Sequence, residues 1–465
     1  MSKSTNIAMV TAGLLAALFI GALDVTVVAT AMPRISEDLQ GMSLMSWVFS
    51  IYTLTTCVTT PIFGKLTDLF GRKLVFAIGV VLFVLGSVLC GLAESMTALV
   101  LFRAVQGIGA GALNPVCFTI VGDIFPGEKR ARMMGVFGSV WSVAGLLGPL
   151  VGGYFVDYVN WRWIFFINVP IGIAALVLVV IFLHERFERK RKSIDYLGAL
   201  TFTVSLSTLM YALLSGGEQH PWDSPLIVVL MAAAVLFLVL FLWVERRAEE
   251  PMMPPAIFKI RVMNVANVSG FLAFSVTTGM MVYAPVWIQS VLGHSATGSG
   301  FTVMPMSLAW PLAATIVGRI MYRVGIKASV VFGSLVVLAA GVWLAAMTAD
   351  SPYAYWVGVM VLFGFGMGFV STPSAVIIQS VVGWEMRGVA NATNSLMRSL
   401  GQTVGVAVFG TIFNHYVTTD PGTKPELAAG MHAIFVLLAA ITAANLIAVL
   451  FLPGHAKVMA QQKSH

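Results

Sequence analysis

Long apolar stretches recur along the chain, and short polar segments separate them. A helix needs about 20 mostly apolar residues to cross the hydrocarbon core of a bilayer. The chain contains fourteen stretches of suitable length, so the pattern predicts an all-α integral membrane protein with fourteen spans. The predicted spans are 8–32, 44–64, 74–93, 97–121, 134–156, 163–183, 194–215, 224–244, 263–291, 298–321, 328–348, 353–380, 388–414 and 429–453.

The basic residues divide unequally between the two sides of this predicted topology. Of the 27 Lys and Arg residues, 22 lie in the termini and loops on the side of the chain ends, three lie in the opposite loops, and two lie within spans. Basic loops stay in the cytoplasm when a membrane protein inserts. The distribution therefore predicts a multi-pass protein of a bacterial-type cytoplasmic membrane, with both termini in the cytoplasm.

Composition excludes several classes of function. The chain is 58% hydrophobic and only 10% charged, and its mean hydropathy is +0.91, which is unsuited to a water-soluble enzyme or a nucleic-acid-binding protein. The seven histidines lie in loops, at span edges or in the tail, and the three cysteines are scattered in apolar runs. We therefore expect neither catalytic residues nor a metal site, although a membrane enzyme, receptor or channel remains a formal alternative to a transporter.

An internal repeat suggests how the spans are organised. Gly64, Gly71 and Lys73 after the second span recur with the same spacing as Gly318, Gly325 and Lys327, at an offset of 254 residues. Parallel repeats of six helices are typical of one class of secondary transporter. The expected units are an N-terminal six-helix bundle at 1–183, cytoplasmic linkers with two inserted transmembrane helices at 184–262, and a C-terminal six-helix bundle at 263–465.

The first copy of this repeat resembles the inner-loop signature of the major facilitator superfamily. The residues that carry the resemblance are Gly64, Asp68, Gly71, Arg72 and Lys73. The resemblance implies the fold of that superfamily and a latch that locks the outward-facing state, in which Asp68 and Arg72 meet the start of span 13 at 385–388. A basic loop that merely fixes topology is the alternative. Tyr322 replaces the aspartate in the second copy, which puts a symmetric latch there in doubt.

Asp24 is the only acid placed deep within a predicted span, and Arg103 lies at a similar depth in span 4. Desolvation raises the pKa of an aspartate and a nearby guanidinium lowers it, so a pair whose surroundings change can load and release a proton. A static structural ion pair is the alternative. The family resemblance, which extends over Arg103, Gln106 and the glycines that follow, implies that Asp24 and Arg103 serve proton coupling.

Span 5 contains a glycine-rich string with one proline that resembles the antiporter signature of the superfamily. Its residues are Gly148, Pro149, Gly152 and Gly153. Close packing of two helices through glycines is the alternative reading. The string from Trp161 to Gly172, together with the patterns around Asp24 and from Arg387 to Gly401, resembles the fourteen-span drug:proton antiporters, the QacA/EmrB-like multidrug exporters.

Together these features predict a proton-coupled antiporter that exports hydrophobic drugs or toxic compounds by alternating access, without a cofactor. The expected partners are protons, the lipid bilayer and small hydrophobic substrates, monocationic or zwitterionic ones included. An adaptor protein is possible but is not indicated by the sequence. A carrier of the same fold that exports a lipid, a siderophore or another endogenous metabolite is the nearest alternative. The residues expected to line the substrate cavity are Asp24, Gln106, Asn114, Tyr283, Trp287, Trp310, Gln379, Asn391 and Asn394.

Overall fold

The computed structural model describes residues 5–40, 44–185, 195–217, 220–248, 251, 253–254, 256–293, 296–348, 351–417 and 424–453. These residues form an all-helical assembly, in which the described part contains no β-strand and a single β-bridge between Gly216 and His220. The helices are α1 Ile7–Asp38, α2 Met45–Phe70, α3 Arg72–Gly91, α4 Met96–Ile124, α5 Gly127–Tyr158, α6 Trp163–Phe166, α7 Asn168–Phe182, α8 Tyr196–Ser215, α9 Pro225–Glu245, α10 Arg261–Ser290, α11 Ala296–Val324, α12 Ile326–Ala345, α13 Tyr353–Ser380, α14 Arg387–Val417 and α15 Lys424–Leu450.

Thirteen segments of the described chain are long and apolar enough to cross a membrane, and α6 and α7 together make one of them. The expectation of fourteen spans is therefore met for thirteen. The remaining predicted span, 44–64, forms most of the long helix α2. The mean hydropathy of α2 is too low for this helix to count among the thirteen apolar segments.

The polarity of α2 comes from threonines whose hydroxyl groups are all bonded to carbonyl oxygens. The hydroxyls of Thr55, Thr59 and Thr60 donate to carbonyls one turn earlier in α2, at 2.7 to 2.8 Å. Thr56 and Thr60 also donate across to the carbonyls of Gly107 and Gly111 in α4, at 3.1 and 3.2 Å. A helix enclosed by protein in this way needs less apolar surface than one facing lipid.

Several helices differ from the predicted spans at their ends. Helix α1 continues to Asp38 and α5 begins at Gly127, because a helix can extend beyond the bilayer where polar groups are accessible to water. Predicted span 163–183 is divided between α6 and α7 at Ile167. Pro170 explains the break, since it has no N–H to donate to the carbonyl of Phe166.

The helices before α8 and those after α9 pack in the same pattern. In the first set α1 packs on α5 and α7, α3 packs on α4 and α7, and α2 packs on α4. In the second set α10 packs on α14 and α15, α12 packs on α13 and α15, and α11 packs on α13. The two sets meet where α5 crosses α11 and α2 crosses α14. Helices α8 and α9 pack on each other, and α8 also contacts α2 and α14.

Close approach between paired helices depends on glycine at specific points. A Cβ atom on Gly364 in α13 would lie 2.5 Å from the carbonyl oxygen of Met306 in α11, which is too short for real atoms. A Cβ atom on Gly153 in α5 would meet nothing within 4 Å. The two positions therefore differ in packing although both are helical glycines.

We expect Gly364→Ala to destabilise the protein by about 1–3 kcal/mol, because α11 and α13 must separate to accommodate the added methyl group. Gly153→Ala is the matched control and should leave stability unchanged or slightly higher. Thermal unfolding of the two purified variants in the same detergent measures the difference. Equal unfolding midpoints would contradict the packing argument.

Candidate functional site

The centre of the candidate site is an ion pair between α1 and α4 in the membrane interior. Nη1 of Arg103 lies 2.5 Å from Oδ2 of Asp24, and each side chain is at most 1% exposed. Asp24 lies 17 residues after the start of α1 and Arg103 seven residues after the start of α4. Since α1 and α4 run in opposite directions, the two charges lie at a similar depth along these helices.

A polar network surrounds this pair and uses most of its hydrogen-bonding capacity. Gln106 donates to Oδ1 of Asp24 at 2.8 Å and accepts from Nη1 of Arg103 at 2.8 Å. Asn168 donates to the same Oδ1 at 3.3 Å and to the hydroxyl of Ser87 at 2.9 Å. The Oδ1 atom of Asn168 is buried and has no hydrogen-bond partner. The carboxylate thus receives donors from α4 and α7, which fixes its position while it is charged.

Arg103 is also held by α2. Its Nε donates to the carbonyl of Val48 at 3.4 Å, and its guanidinium lies 4.0 Å from the centroid of the Tyr52 ring. A change in the charge of Asp24 would therefore alter the contacts among α1, α2, α4 and α7. Sequence reasoning missed the roles of Ser87 and Asn168 in this network; the available signal was a polar residue within an otherwise apolar stretch.

The glycine-rich string of α5 packs against α1 within the two turns that follow Asp24. A Cβ atom on Gly148 would collide with Thr26, and one on Gly152 would lie 3.1 Å from Cβ of Thr30. The Thr26 hydroxyl also donates to the carbonyl of Ala144 at 3.1 Å. A Cβ on Gly153 would have open space, and the side chain of Pro149 lies outside the described residues. Only Gly148 and Gly152 of this string therefore bring the two helices together.

A second charged cluster lies where α2, α3, α4 and α14 meet, at the end of the assembly that we call the basic end. Oδ1 and Oδ2 of Asp68 accept hydrogen bonds from the backbone N–H groups of Gly388 and Val389, at 3.2 and 3.0 Å. These donors belong to the first turn of α14, where unpaired N–H groups favour a negative charge. Asp68 in the first helix set thus caps a helix of the second.

Arg72 connects three elements at the basic end. It pairs with Asp68 at 3.1 Å and with Asp123 at 3.1 Å, and it donates to the carbonyl of Trp384 at 2.9 Å. Its guanidinium also lies 3.9 Å from the centroid of the Trp384 ring. Asp123 completes the cluster by pairing with Arg387 at 2.8 Å. Sequence reasoning missed Asp123, which lies at the end of α4 and resembles an ordinary loop acid.

The other residues of the inner-loop signature shape the backbone around this cluster. Gly64 allows α2 to approach α14, since a Cβ there would lie 2.9 Å from the carbonyl of Gly388. Gly71 adopts a φ of 90°, which lets the chain reverse between α2 and α3. The backbone N–H groups of Arg72 and Lys73 donate to the carboxylate of Glu185, at 3.0 and 3.2 Å.

The residues expected to line the substrate cavity lie in several different environments. Asn391 and Gln379 are buried between the helix sets: Asn391 donates to the hydroxyl of Thr119 at 2.9 Å, and Gln379 donates to the carbonyl of Phe118 at 3.0 Å. Trp287 is 1% exposed and packs on Trp356 in the core of the second set. The remaining residues are Gln106 in the Asp24 network, Asn394 bonded to Asn267, Tyr283 packed against Phe409, and the half-buried Asn114 and Trp310.

The described residues contain no group of three or more His, Cys, Asp or Glu side chains arranged to hold a metal ion. The charged groups of the two clusters are instead paired with each other across helices. Such an arrangement can take up or release a proton, and it can connect or separate helices as its charge changes.

Comparison with known proteins assigns the fold to a family. The sequence profile of the Major Facilitator Superfamily matches residues 14–406, which is most of the chain. The chain belongs to the major facilitator superfamily. It is therefore a membrane transporter and not an enzyme.

Relatives of this transporter include proteins named for multidrug transport and multidrug resistance. Multidrug resistance protein 3 of Bacillus subtilis is 37% identical over 417 residues, covering 90% of this chain and 81% of the relative. The multidrug transporter protein MdtP of the same organism is 36% identical over 412 residues, covering 89% and 76%. Among solved structures, the proton:xylose symporter XylE has the same fold, with a TM-score of 0.65, 14% identity and 96% of each chain covered.

The transporter is closed at its basic end in this structure. Contacts between the two helix sets at that end include those of Asp68, Arg72 and Asn391 described above, and the hydroxyl of Tyr322 in α11 donates to the carbonyl of Gly127 at 3.3 Å. These contacts must break for a path to open there.

Burial raises the pKa of Asp68 from 3.8 to about 7, although Arg72 and the two N–H donors of α14 oppose the increase. Asp68 lies beyond the predicted span 44–64. Because the pKa of Asp68 is raised in the closed arrangement, protonation of Asp68 favours closure. The contribution of this proton to the stability of the closed arrangement is complete below pH 3.8 and is lost as the pH rises through about 7. Asp123, Arg387 and Glu185 are the other charged groups near this site.

We therefore expect the basic end to open more readily as the pH rises from about 6 to 8, with a several-fold effect. A cysteine placed at the buried Thr119, in a protein without its three native cysteines, reports opening through its rate of maleimide labelling. The same reporter with Asp68→Asn corrects for the pH dependence of the thiol itself. A constant ratio of the two labelling rates across this range would contradict the assignment of Asp68.

Proposed function

We propose that this transporter is a proton-coupled antiporter that exports hydrophobic drugs or toxic compounds across the cytoplasmic membrane by alternating access. The observation that carries the proposal is the buried Asp24 and Arg103 pair with its network of amide and hydroxyl groups. A charged pair in the membrane interior is costly, and such residues usually serve ion or substrate pathways. The multidrug relatives support the choice of substrate class.

In this proposal Asp24 is the proton carrier. Protonation removes the charge that attracts Arg103, Gln106 and Asn168, so the ties between α1, α4 and α7 weaken together. Protonated Asp24 needs an acceptor for its hydrogen, and the unpaired Oδ1 of Asn168 becomes available if that amide rotates. The network would then exist in two hydrogen-bonded arrangements, one for each charge state of Asp24.

Alternating access in this proposal is rocking of an N-terminal bundle, 1–183, against a C-terminal bundle, 263–465, with the inserted segment 184–262 beside them. Asp68 and Arg72 serve as the latch at the basic end, which faces the cytoplasm together with both termini. In this proposal α2 is the fourteenth span, which is supported by its packing on α4 and α14 and by the thirteen other segments that are long and apolar enough to cross a membrane. The proton gradient supplies the energy, and no cofactor takes part.

Asp24→Asn should abolish uphill efflux driven by a pH gradient while leaving substrate binding and downhill exchange largely intact, since the amide mimics the protonated carboxyl. Arg103→Ala should also reduce gradient-driven efflux by about tenfold or more, because Asp24 then lacks its cation. Transport in proteoliposomes with an imposed pH gradient measures both effects.

Glu37→Gln is the matched control for Asp24→Asn, since Glu37 lies in an exposed ion pair with Arg34. Exposed pairs contribute little, so the control should behave as the native protein. Normal gradient-driven efflux in both Asp24→Asn and Arg103→Ala would overturn the coupling assignment.

The distribution of acids also predicts a charge preference. After residue 250 the only acidic residues are Asp350, Glu385, Asp420 and Glu426, and none lies within a predicted span. Asp24 is therefore the single carboxylate available to a cation in the membrane interior. We expect a monovalent lipophilic cation to be exported clearly better than a divalent analogue built on the same aromatic scaffold. Equal transport of the two in the same vesicles would argue against this preference.

A further inference from the structure

Arg398 lies at the middle of the membrane without a counter-charge. It is eleven residues after the start of α14, which corresponds to about 16 Å of helix, close to the centre of a bilayer core about 30 Å thick. No carboxylate of the described residues is within ion-pair distance of its guanidinium, and its Nε is buried without a hydrogen-bond partner. Arg72, Arg103 and Arg387, by contrast, each pair with a carboxylate.

The sequence offers no acid to neutralise Arg398 from its own half of the chain. The four acids after residue 250 all lie in loops or near helix ends, and Asp24 is already paired with Arg103. An arginine at the bilayer centre costs about 2.5–3.5 kcal/mol by insertion measurements, and such residues usually face a cavity. An unpaired cation held there is therefore expected to have a partner that the protein itself does not supply.

The side chain of Arg398 lies between α14 and α10, with its Cγ and Nε beside Gly270, on a face of α14 that is continuous with the contact to the first helix set. Arg398 is seven residues after Asn391, so the two side chains lie on the same face of the helix, two turns apart. Asn391 reaches across to Thr119 of α4 and thus lies between the two sets. Arg398 therefore lies on the same face of α14 as Asn391, about two turns farther from the closed basic end.

Arg398 lies beside a hydrogen-bonded contact between α14 and α10 and beside aromatic side chains. Asn394, one turn earlier, bonds to Asn267 at 3.1 Å and fixes α14 against α10. The guanidinium lies 4.9 Å from the centroid of the Phe274 ring, and that ring meets Trp310 edge-on at 6.1 Å. Phe274, Trp310 and Arg398 are each only partly buried, so part of each remains accessible.

We propose that Arg398 binds the carboxylate of anionic or zwitterionic substrates, with Phe274 and Trp310 contacting their aromatic portion. This inference rests on the proposed export function and specifies its substrate class. A guanidinium recognises a carboxylate through two parallel hydrogen bonds, which are strong where water is excluded. The second half of the transporter thus supplies a positive site, while Asp24 in the first half supplies the only negative one.

The test compares pyrenebutyric acid with its methyl ester, which differ only in the charged group. Binding to purified protein is followed by pyrene fluorescence without a pH gradient, for the native protein, Arg398→Gln and Arg398→Lys. We expect Arg398→Gln to weaken binding of the acid by about tenfold or more and to leave binding of the ester within about twofold. Arg398→Lys, which keeps the charge but loses the planar fork, should fall between the two for the acid.

Arg34→Gln is the matched control, because it removes the same charge from an exposed side chain on α1. Equal weakening of the acid by Arg34→Gln and Arg398→Gln would overturn the site, since the effect would then come from overall charge. Equal weakening of acid and ester by Arg398→Gln would overturn it as well, because the role would be structural. Unchanged binding of both probes would have the same consequence.

Export of the ester from proteoliposomes separates this inference from the proposed function. If gradient-driven export of the ester occurs while Arg398→Gln shows no preference between the probes, the transporter function holds and the carboxylate site is wrong. If the native protein binds the acid through Arg398 but exports neither probe under a pH gradient, the site holds and the proposed coupled export is wrong.

Discussion

The mechanism depends on the difficulty of solvating a charge inside the membrane. Asp24 and Arg103 are at most 1% exposed, so each can keep its charge only through the other and through the amides of Gln106 and Asn168. These partners come from different helices, and the electrostatic requirement therefore sets how α1, α4 and α7 are arranged. The same requirement makes the arrangement sensitive to a single proton.

The two charged clusters differ in what they connect. The Asp24 network lies within the first helix set, whereas Asp68, Arg72 and Asp123 join the first set to the start of α14 in the second. A change at Asp24 alters the packing of helices inside one unit, and a change at the basic end alters the contact between units. The first can influence the second through α2 and α4, since Tyr52 and Arg103 lie on the same helices as Asp68 and Asp123.

Sequence reasoning anticipated the features that follow from hydropathy and spacing. The helical architecture and the similar depth of Asp24 and Arg103 follow from where polar residues interrupt apolar runs, whereas the approach of Asp68 to the start of α14 was expected from the family resemblance alone. The roles of Ser87, Asn168 and Asp123 did not follow, because each depends on which residues meet across helices far apart in sequence. The mean hydropathy of α2 is low because its threonines count as polar, although their hydroxyls are bonded to carbonyl oxygens.

Those threonines give α2 an unusual contact surface. The hydroxyl of Thr60 is 2.7 Å from a carbonyl of its own helix and 3.2 Å from the carbonyl of Gly111 in α4, so it can bond to either. Thr59 has the same choice, between Thr55 at 2.8 Å and Ile108 at 3.3 Å. If α2 slides along α4, each hydroxyl can exchange one acceptor for the other without becoming unpaired. A small shift between these two helices therefore leaves no threonine hydroxyl without an acceptor and has no hydrogen-bond penalty at these positions.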